Sequence, residues 1–350
     1  IMFKINKDFI GEGFKPYIIA ELSANHGGSI DRAKRSIKAA KLSGASAVKL
    51  QTYKPDTMTL NSQKNDFLIT EGLWKGYNLY QLYEKAYTPY EWHSELFAFA
   101  KSVGITIFST PFDETAVDLL EKLNTPAYKI ASFEITDLSL IEYAAKRQKP
   151  IMMSTGMASI EEISSAVECC KQQGNNEILL FQCISSYPAK LSESNLGNIK
   201  YLSNYFNVEV GLSDHTTTNL ASVLAVSLGA KVIEKHFKVD EDDCGPDSTF
   251  SILPKHLKSL VDECTLAFEA LETKEFKRSD SEIFSKQFRR SLYFCKDLPK
   301  GHVITADDVR RVRPGFGLDL KHYKQIIGKK LIRRAEKADA VHWDFFNLDE

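Results

Sequence analysis

The chain has no excess of either charge: 45 basic and 46 acidic side chains leave a formal net charge of -1 over 350 residues. Nothing in that balance draws it to nucleic acid or to an anionic membrane. No apolar stretch approaches the roughly 18 residues that span a bilayer, and the first residues lack the apolar segment of a signal peptide. A cytoplasmic location with no membrane partner is therefore expected. The six cysteines (Cys169, Cys170, Cys183, Cys244, Cys264 and Cys295) form no CxxC pair and no zinc-finger spacing, so free, reduced thiols are expected. There is no low-complexity tract and no repeat of fixed period. These absences leave an ordinary soluble chain, 43% hydrophobic, long enough for one large domain and a smaller one. Its partners are expected to be small molecules.

What is present is an alternation. Eight short apolar runs end in polar residues: YIIAEL (17 to 22), AVKLQT (47 to 52), TIFST (106 to 110), AYKIAS (127 to 132), PIMMST (150 to 155), EILLFQC (177 to 183), VEVGLS (208 to 213) and KVIEKH (231 to 236). Each is strand length and too continuously apolar for a strand with one wet face. Helix-like stretches such as DRAKRSIKAAKLSG and TAVDLLEKL separate most of them. The pattern predicts a parallel sheet, and eight strand-helix units in roughly 250 residues fit an α/β fold of the closed (β/α)8 TIM-barrel type. An open doubly wound sheet is the alternative. In a barrel the polar strand ends form the rim where active sites lie.

Two places break the rhythm. Residues 54 to 88 make a connection far longer than usual and carry Trp74, Tyr77, Tyr80, Tyr83 and Tyr87; a loop of that length on the rim is expected to cover substrate. After the eighth run, KVDEDDCGPDSTFSILP precedes a helix expected over 255 to 271. The barrel is expected to occupy 1 to 271, a charged linker 272 to 286, and a small domain 287 to 350. That last segment has the strand-like pieces SLYFCKDL, HVITADDV and KLIRRAE and an arginine excess. Most of these arginines read as a solvated basic face; Arg313, before Pro314 and Gly315, is the exception singled out as a ligand candidate.

The rim carries a coherent chemistry. His215 follows the seventh run and His236 ends the eighth, so neighbouring strands present two imidazoles to one ion with coordination positions left open; Mn²⁺ or Mg²⁺ fits as well as Zn²⁺. Asp214 and Asp247 are candidate partners of that site. Lys49 and Lys129 lie within strands, where a lysine inside a barrel demands a charged partner. Thr110, Ser132, Ser154, Ser185 and Ser213 sit at or just beyond five strand ends. Lysines ringed by hydroxyls make a phosphate cradle, whereas hydroxyls alone could simply cap the following helices. Glu21 and Glu134 are candidates for a general base, a water-orienting group or a sugar-hydroxyl acceptor. A Schiff-base lysine is possible too, though one among carboxylates and phosphate stays protonated and a poor nucleophile.

Taken in order, AELSANHGG (20 to 28), AVKLQTY (47 to 53), STPFD (109 to 113), YKIASFE (128 to 134), STGMAS (154 to 159), CISSYPA (183 to 189), GLSDHT (211 to 216), EKHF (234 to 237) and GPDSTFS (245 to 251) resemble the bacterial sialic acid synthases. FRRSLY (288 to 293) and VRPGFGL (312 to 318) look like that family's C-terminal antifreeze-protein-like (SAF, β-clip) domain. GLWKGYNLYQLYEKAYTPYEWH (72 to 93) and Ser248 look like its pseudaminic acid branch, with the neuraminate and legionaminate branches as alternatives. The resemblance implies condensation of phosphoenolpyruvate (PEP) with an open-chain amino sugar aldehyde, giving a nine-carbon 2-keto acid and phosphate.

It further implies that His215 and His236 hold a divalent metal (Mn²⁺, Mg²⁺ or Co²⁺) and that Lys49, Lys129, Thr110, Ser132, Ser154, Ser185 and Ser213 hold PEP. Glu21 would guide water, and Gln51, Glu134, Tyr187 and Asp247 would hold the sugar. Ser185 departs from the asparagine of some members. Phe288 and Arg313 match residues that the family brings into a partner's barrel, which implies a domain-swapped homodimer. More distant alternatives are a Schiff-base aldolase and a carbohydrate- or ice-binding protein.

Overall fold

A computed structural model describes residues 2–241, 245–271 and 275–347. The chain has two compact units, 1–272 and 273–350. The expected boundary after Leu271, the first three linker residues and Cys244 fall outside the described residues.

The first unit is a closed barrel. A short antiparallel hairpin, β1 (Phe3–Ile5) and β2 (Asp8–Ile10), precedes eight parallel strands: β3 (Tyr17–Glu21), β4 (Ala47–Thr52), β5 (Thr106–Pro111), β6 (Tyr128–Ile130), β7 (Ile151–Ser154), β8 (Ile178–Cys183), β9 (Glu209–Asp214) and β10 (Val232–His236). They pair in chain order, and β10 closes on β3 through Val232 opposite Tyr17 and His236 opposite Glu21. All eight predicted runs are strands of this barrel. The open sheet is thereby excluded.

The strands look continuously apolar because each face meets a different core. Ile18, Ala20, Val48, Leu50, Ile107, Leu180, Val210 and Ile233 pack outward with the helices. Tyr17, Ile19, Ala47, Phe108, Met152, Leu179, Phe181 and Val232 pack with Phe3, Ile5 and Ile10 of the hairpin in a separate inner cluster. Side-chain alternation then carries each inner series toward its polar end: Tyr17, Ile19, Glu21 on β3; Ala47, Lys49, Gln51 on β4; Val232, Glu234, His236 on β10. Apolar packing fills the N-terminal part of the barrel, and charge begins one layer above it.

The outer helices are α1 (Ile30–Leu42), α2 (Pro55–Met58), α3 (Leu79–Ala86), α4 (Tyr90–Val103), α5 (Glu114–Lys122), α6 (Leu138–Ala145), α7 (Ile160–Gln172), α8 (Asn198–Phe206), α9 (Leu220–Ser227) and α10 (Pro254–Ala270). The long connection after β4 is thus not a bare loop, because it contains α2 and α3. No described helix is long and apolar enough to cross a membrane.

The second unit has its own apolar cluster, including Leu292, Phe294, Ile304, Val309, Leu331, Val341 and Phe345. Its only regular sheet among the described residues is β11 (Ser291–Phe294) against β12 (Val309–Val312). Of HVITADDV and KLIRRAE, expected as strands, only Val309 enters the sheet, as the first residue of β12; the rest contribute isolated bridges such as Val303 to Lys330. The expected linker also holds a short helix, α11 (Asp280–Ser285), opened by a Ser279–Glu282 capping box.

Gly211 on β9 is required by close approach. A Cβ there would lie 2.5 Å from the Val232 carbonyl oxygen and 2.8 Å from the Phe181 ring. Gly211→Ala should lower the free energy of unfolding by about 1–3 kcal/mol through overpacking, read by urea denaturation. An unchanged midpoint would show that the barrel wall gives way there more easily than its packing implies.

Candidate active site

Four buried charges lie at the centre of the barrel. Lys49 Nζ is 2.6 Å from Glu21 Oε2 and 3.2 Å from Glu234 Oε1, and Lys129 Nζ is 3.5 Å from the same Glu234 oxygen. Lys49 donates to Thr110 Oγ1 (3.1 Å) and Lys129 to Ser154 Oγ (2.7 Å), while Ser213 Oγ donates to Glu234 Oε1 (3.4 Å). Glu21 Oε1 accepts from the Ser23 amide at 2.8 Å. The partner that each lysine demands is therefore present. One of the two carboxylates, Glu234, is a residue that motif reading passed over. Its signal was available: it stands two positions before His236 on one strand, and so on the same inner face.

Burial opposes the charge on Lys49, but Glu21 and Glu234 outweigh it and hold the ammonium above its ordinary range. Burial would likewise raise Glu234; Lys129 and Lys49 overcome this and keep it ionised. Glu21 is pushed up to about 7, by burial first and partly offset by Lys49, so it can exchange a proton near neutrality. Lys129 is lowered by burial. The state of Lys49 counts against its service as a Schiff-base nucleophile.

The strand-end hydroxyls do not cap the helices that follow. Ser29, Asp113, Asp137 and Ser159 do that work for α1, α5, α6 and α7. Ser132 Oγ instead accepts from the Gly156 amide at 3.2 Å, and Ser185 Oγ is buried without a partner. A Cβ on Gly156 would meet Ser185 Oγ at 2.3 Å and Ser132 Oγ at 2.8 Å. The glycine of STGM thus leaves room for two hydroxyls to face one space.

The two imidazoles are adjacent, with ring centroids 5.3 Å apart. His215 Nδ1 lies 2.9 Å from the Ile184 carbonyl, which requires a proton on Nδ1 and leaves Nε2 as the electron-pair donor. His236 is held well below its ordinary pKa by burial and by His215; its Nδ1 is buried and unpartnered. Burial opposes a charge on His215 as well, but Cys183 and the Ile184 carbonyl outweigh it and hold this imidazole above its ordinary pKa, so a divalent ion bound by the pair would replace the His215 Nε2 proton. Among the described residues no group of three or more His, Cys, Asp or Glu is arranged to hold one, so water or substrate would complete the sphere. Asp214 is not available as a further ligand. Its oxygens accept from Thr216, Ser222 and Lys235, the last at 2.7 Å, making it a clamp on the turn after β9.

Beside the imidazoles is a cavity of about 400 Å³ whose lining includes Gln51, Glu134, Tyr187, His236 and Asp247. The Tyr187 ring packs on His215 at 4.4 Å, Phe250 at 5.1 Å and Trp74 at 5.8 Å. Trp74 Nε1 donates to the Pro246 carbonyl (3.1 Å), and Ser23 Oγ donates to Asp247. Glu134, just past β6, keeps one buried oxygen unpartnered and is pushed up to about 7 by burial and then by Asp137. Phe288 and Arg313, the remaining candidates, are exposed residues of the second unit. The first unit thus gathers every sequence-derived candidate except Phe288 and Arg313 around the C-terminal strand ends.

A family model described as the NeuB family matches residues 36–276. The chain belongs to that family. A second model, the SAF domain, matches residues 289–347. The chain is 46% identical over 327 residues to the pseudaminic acid synthase of Campylobacter jejuni strain 81-176, covering 93% of this chain and 95% of that one. It is also 46% identical over 316 residues to the pseudaminic acid synthase of Helicobacter pylori strain 26695, covering 90% and 93%. Among solved structures, the N-acetylneuraminic acid synthetase of Leptospira borgpetersenii in complex with citrate aligns with a TM-score of 0.73 at 29% identity, over 81% of this chain and 95% of that one.

Glu134 yields a pH test. Its folded pKa of about 7 lies above the ordinary carboxylate value, so the folded state holds a proton that the unfolded state has lost. Wild-type stability then falls as pH rises from about 4.5 to 7. Glu134→Gln should match the wild type at pH 4 and exceed it by about 1–3 kcal/mol at pH 8, measured by urea denaturation. An equal difference at both pH values would contradict the assignment.

Proposed function

We propose that the chain is a pseudaminic acid synthase: it condenses PEP with the open-chain aldehyde of 2,4-diacetamido-2,4,6-trideoxy-β-L-altropyranose and water, giving pseudaminic acid and phosphate. The observation that carries this reading is the paired-lysine floor with the unpartnered Ser185 hydroxyl, set beside two adjacent imidazoles and a cavity of sugar size. The similarity to two pseudaminic acid synthases over nine-tenths of their length supports the choice of sugar. Five free cysteines among the described residues are in keeping with the cytoplasm as its compartment.

In this reading Lys49 and Lys129, with Thr110, Ser132, Ser154, Ser185 and Ser213, bind the phosphate and carboxylate of PEP. A proton on Glu21 lessens its repulsion of that anion. Gln51, Glu134, Tyr187 and Asp247 orient the aldehyde so that PEP C3 meets its carbonyl carbon, and the new C–C bond leaves electron deficiency at C2. The aldehyde oxygen, which gains the electron pair of its C=O bond, takes the proton from Glu21 and becomes a hydroxyl, and the carboxylate so formed takes a proton from the water that adds at C2. Breaking the C2–O bond then releases phosphate and leaves the keto group. A divalent ion (Mn²⁺, Mg²⁺ or Co²⁺) held by His215 and His236 would supply Lewis acidity at the aldehyde oxygen.

Phosphate release should require both PEP and the aldehyde, should stop with EDTA and return with Mn²⁺, and should fall at least about 100-fold in His236→Ala. Turnover that survives EDTA, with substrate trapped on a lysine by borohydride, would favour the aldolase alternative instead. Better turnover of N-acetylmannosamine would move the chain to the neuraminate branch.

A domain-swapped homodimer is part of the same proposal. Phe288 is 54% exposed and Arg313 is exposed, which leaves both free to enter a partner's barrel. Mixing inactive His236→Ala and Arg313→Ala chains after joint refolding should restore about a quarter of the wild-type rate on statistical grounds. No recovery would contradict the exchange.

A further inference from the structure

Helix α3 carries Leu79, Leu82, Tyr83 and Ala86 at positions i, i+3, i+4 and i+7, the spacing of a single apolar face. Such a face ordinarily packs against a core. Here all four residues line the cavity beside His236, together with Met58 and Ile69 of the same insert. Leu82 is only 7% exposed, yet it belongs to none of the three apolar clusters found among the described residues. Phe133, 62% exposed, lines the same space. Strand ends and the turn at 245–247 bring the polar groups Gln51, His236 and Asp247 together with Tyr53, Phe112 and Phe133, whereas the insert brings apolar and aromatic surface alone. Apart from Tyr83, whose ring meets Tyr53 at 5.7 Å, what this helical face looks onto is the cavity.

We propose that the α3 face is the specificity wall of the sugar site, taking the apolar groups of an amino sugar that lacks a terminal hydroxyl and carries acetamido methyls. The inference rests on the proposed activity. A 6-deoxy sugar with two acetamido groups presents methyls to such a wall. A hydroxylated one such as N-acetylmannosamine presents hydroxyls, which the aliphatic side chains cannot pair. One methylene gained or lost in an apolar pocket shifts discrimination about 10- to 200-fold, so few residues suffice to set the preference.

The test compares kcat/KM for 2,4-diacetamido-2,4,6-trideoxy-L-altrose and for N-acetylmannosamine, at saturating PEP, in full-length wild type, Leu79→Asn and Ile69→Thr. The ratio of the two should fall about tenfold or more in Leu79→Asn and several-fold in Ile69→Thr, because the loss on the deoxy sugar is not shared by the hydroxylated one. A wild type that prefers the deoxy sugar, with a ratio that stays within twofold in the variants, overturns the wall and leaves the activity standing. A wild type that prefers N-acetylmannosamine overturns both. Should Leu79→Asn fail to fold, Ile69→Thr decides alone, since its position lies in the irregular segment before α3.

Discussion

The constraint on which the site depends is charge neutrality at the barrel centre. Removing a carboxylate or an ammonium from water costs several kcal/mol even after relaxation, so a lysine there is tolerated only beside an acid. Lys49, Lys129, Glu21 and Glu234 come from four strands, β3, β4, β6 and β10, and their pairing ties the closure of the barrel to the geometry of the site. A single slip in register between β3 and β10 would turn Glu21 or Glu234 toward the outer core. The hairpin and inner apolar cluster below this layer exclude water from one side only. On the other side Ser185 Oγ and one oxygen of Glu134 stay buried without a partner.

That arrangement divides labour by layer. The apolar floor positions the charges, the charges and hydroxyls face an anion, and the imidazoles stand one residue pair higher on β10 and just past β9. Polar groups above the floor come from short strand-end segments held by local clamps such as Asp214 with Lys235. The insert after β4 closes the remaining side with aliphatic and aromatic surface. On the proposed reading the strands carry the condensation chemistry and the inserted helix the choice of sugar.

Much of this was legible before any coordinates. The eight strands announced themselves because a parallel barrel buries both faces of each one, and Lys49 and Lys129 stood out as charges inside apolar runs. Glu234 did not, because IEKH reads as an ordinary charged strand end unless the inner face is followed by alternation back from His236. The face of helix α3 was hidden because Trp74, Tyr77, Tyr80 and Tyr83 recur every third residue across its start, whereas the face itself is Leu79, Leu82, Tyr83 and Ala86. In the small domain, HVIT and KLIR have strand composition, but turns at Gly301 and Gly328 confine them to single bridges. Asp214 looked like a ligand by proximity to His215, and only the positions of Lys235 and Ser222 reveal that its oxygens are spent.

The most direct measurement is PEP binding by calorimetry to the wild type and to Lys129→Met. Lys49 still neutralises Glu234 in that variant, so the barrel should remain folded by circular dichroism. The neutral floor is predicted to be the anion site, and affinity should then fall by about 100-fold, the loss of one charge-assisted contact in a buried setting. A folded variant that binds PEP as tightly as the wild type would contradict the account at its centre.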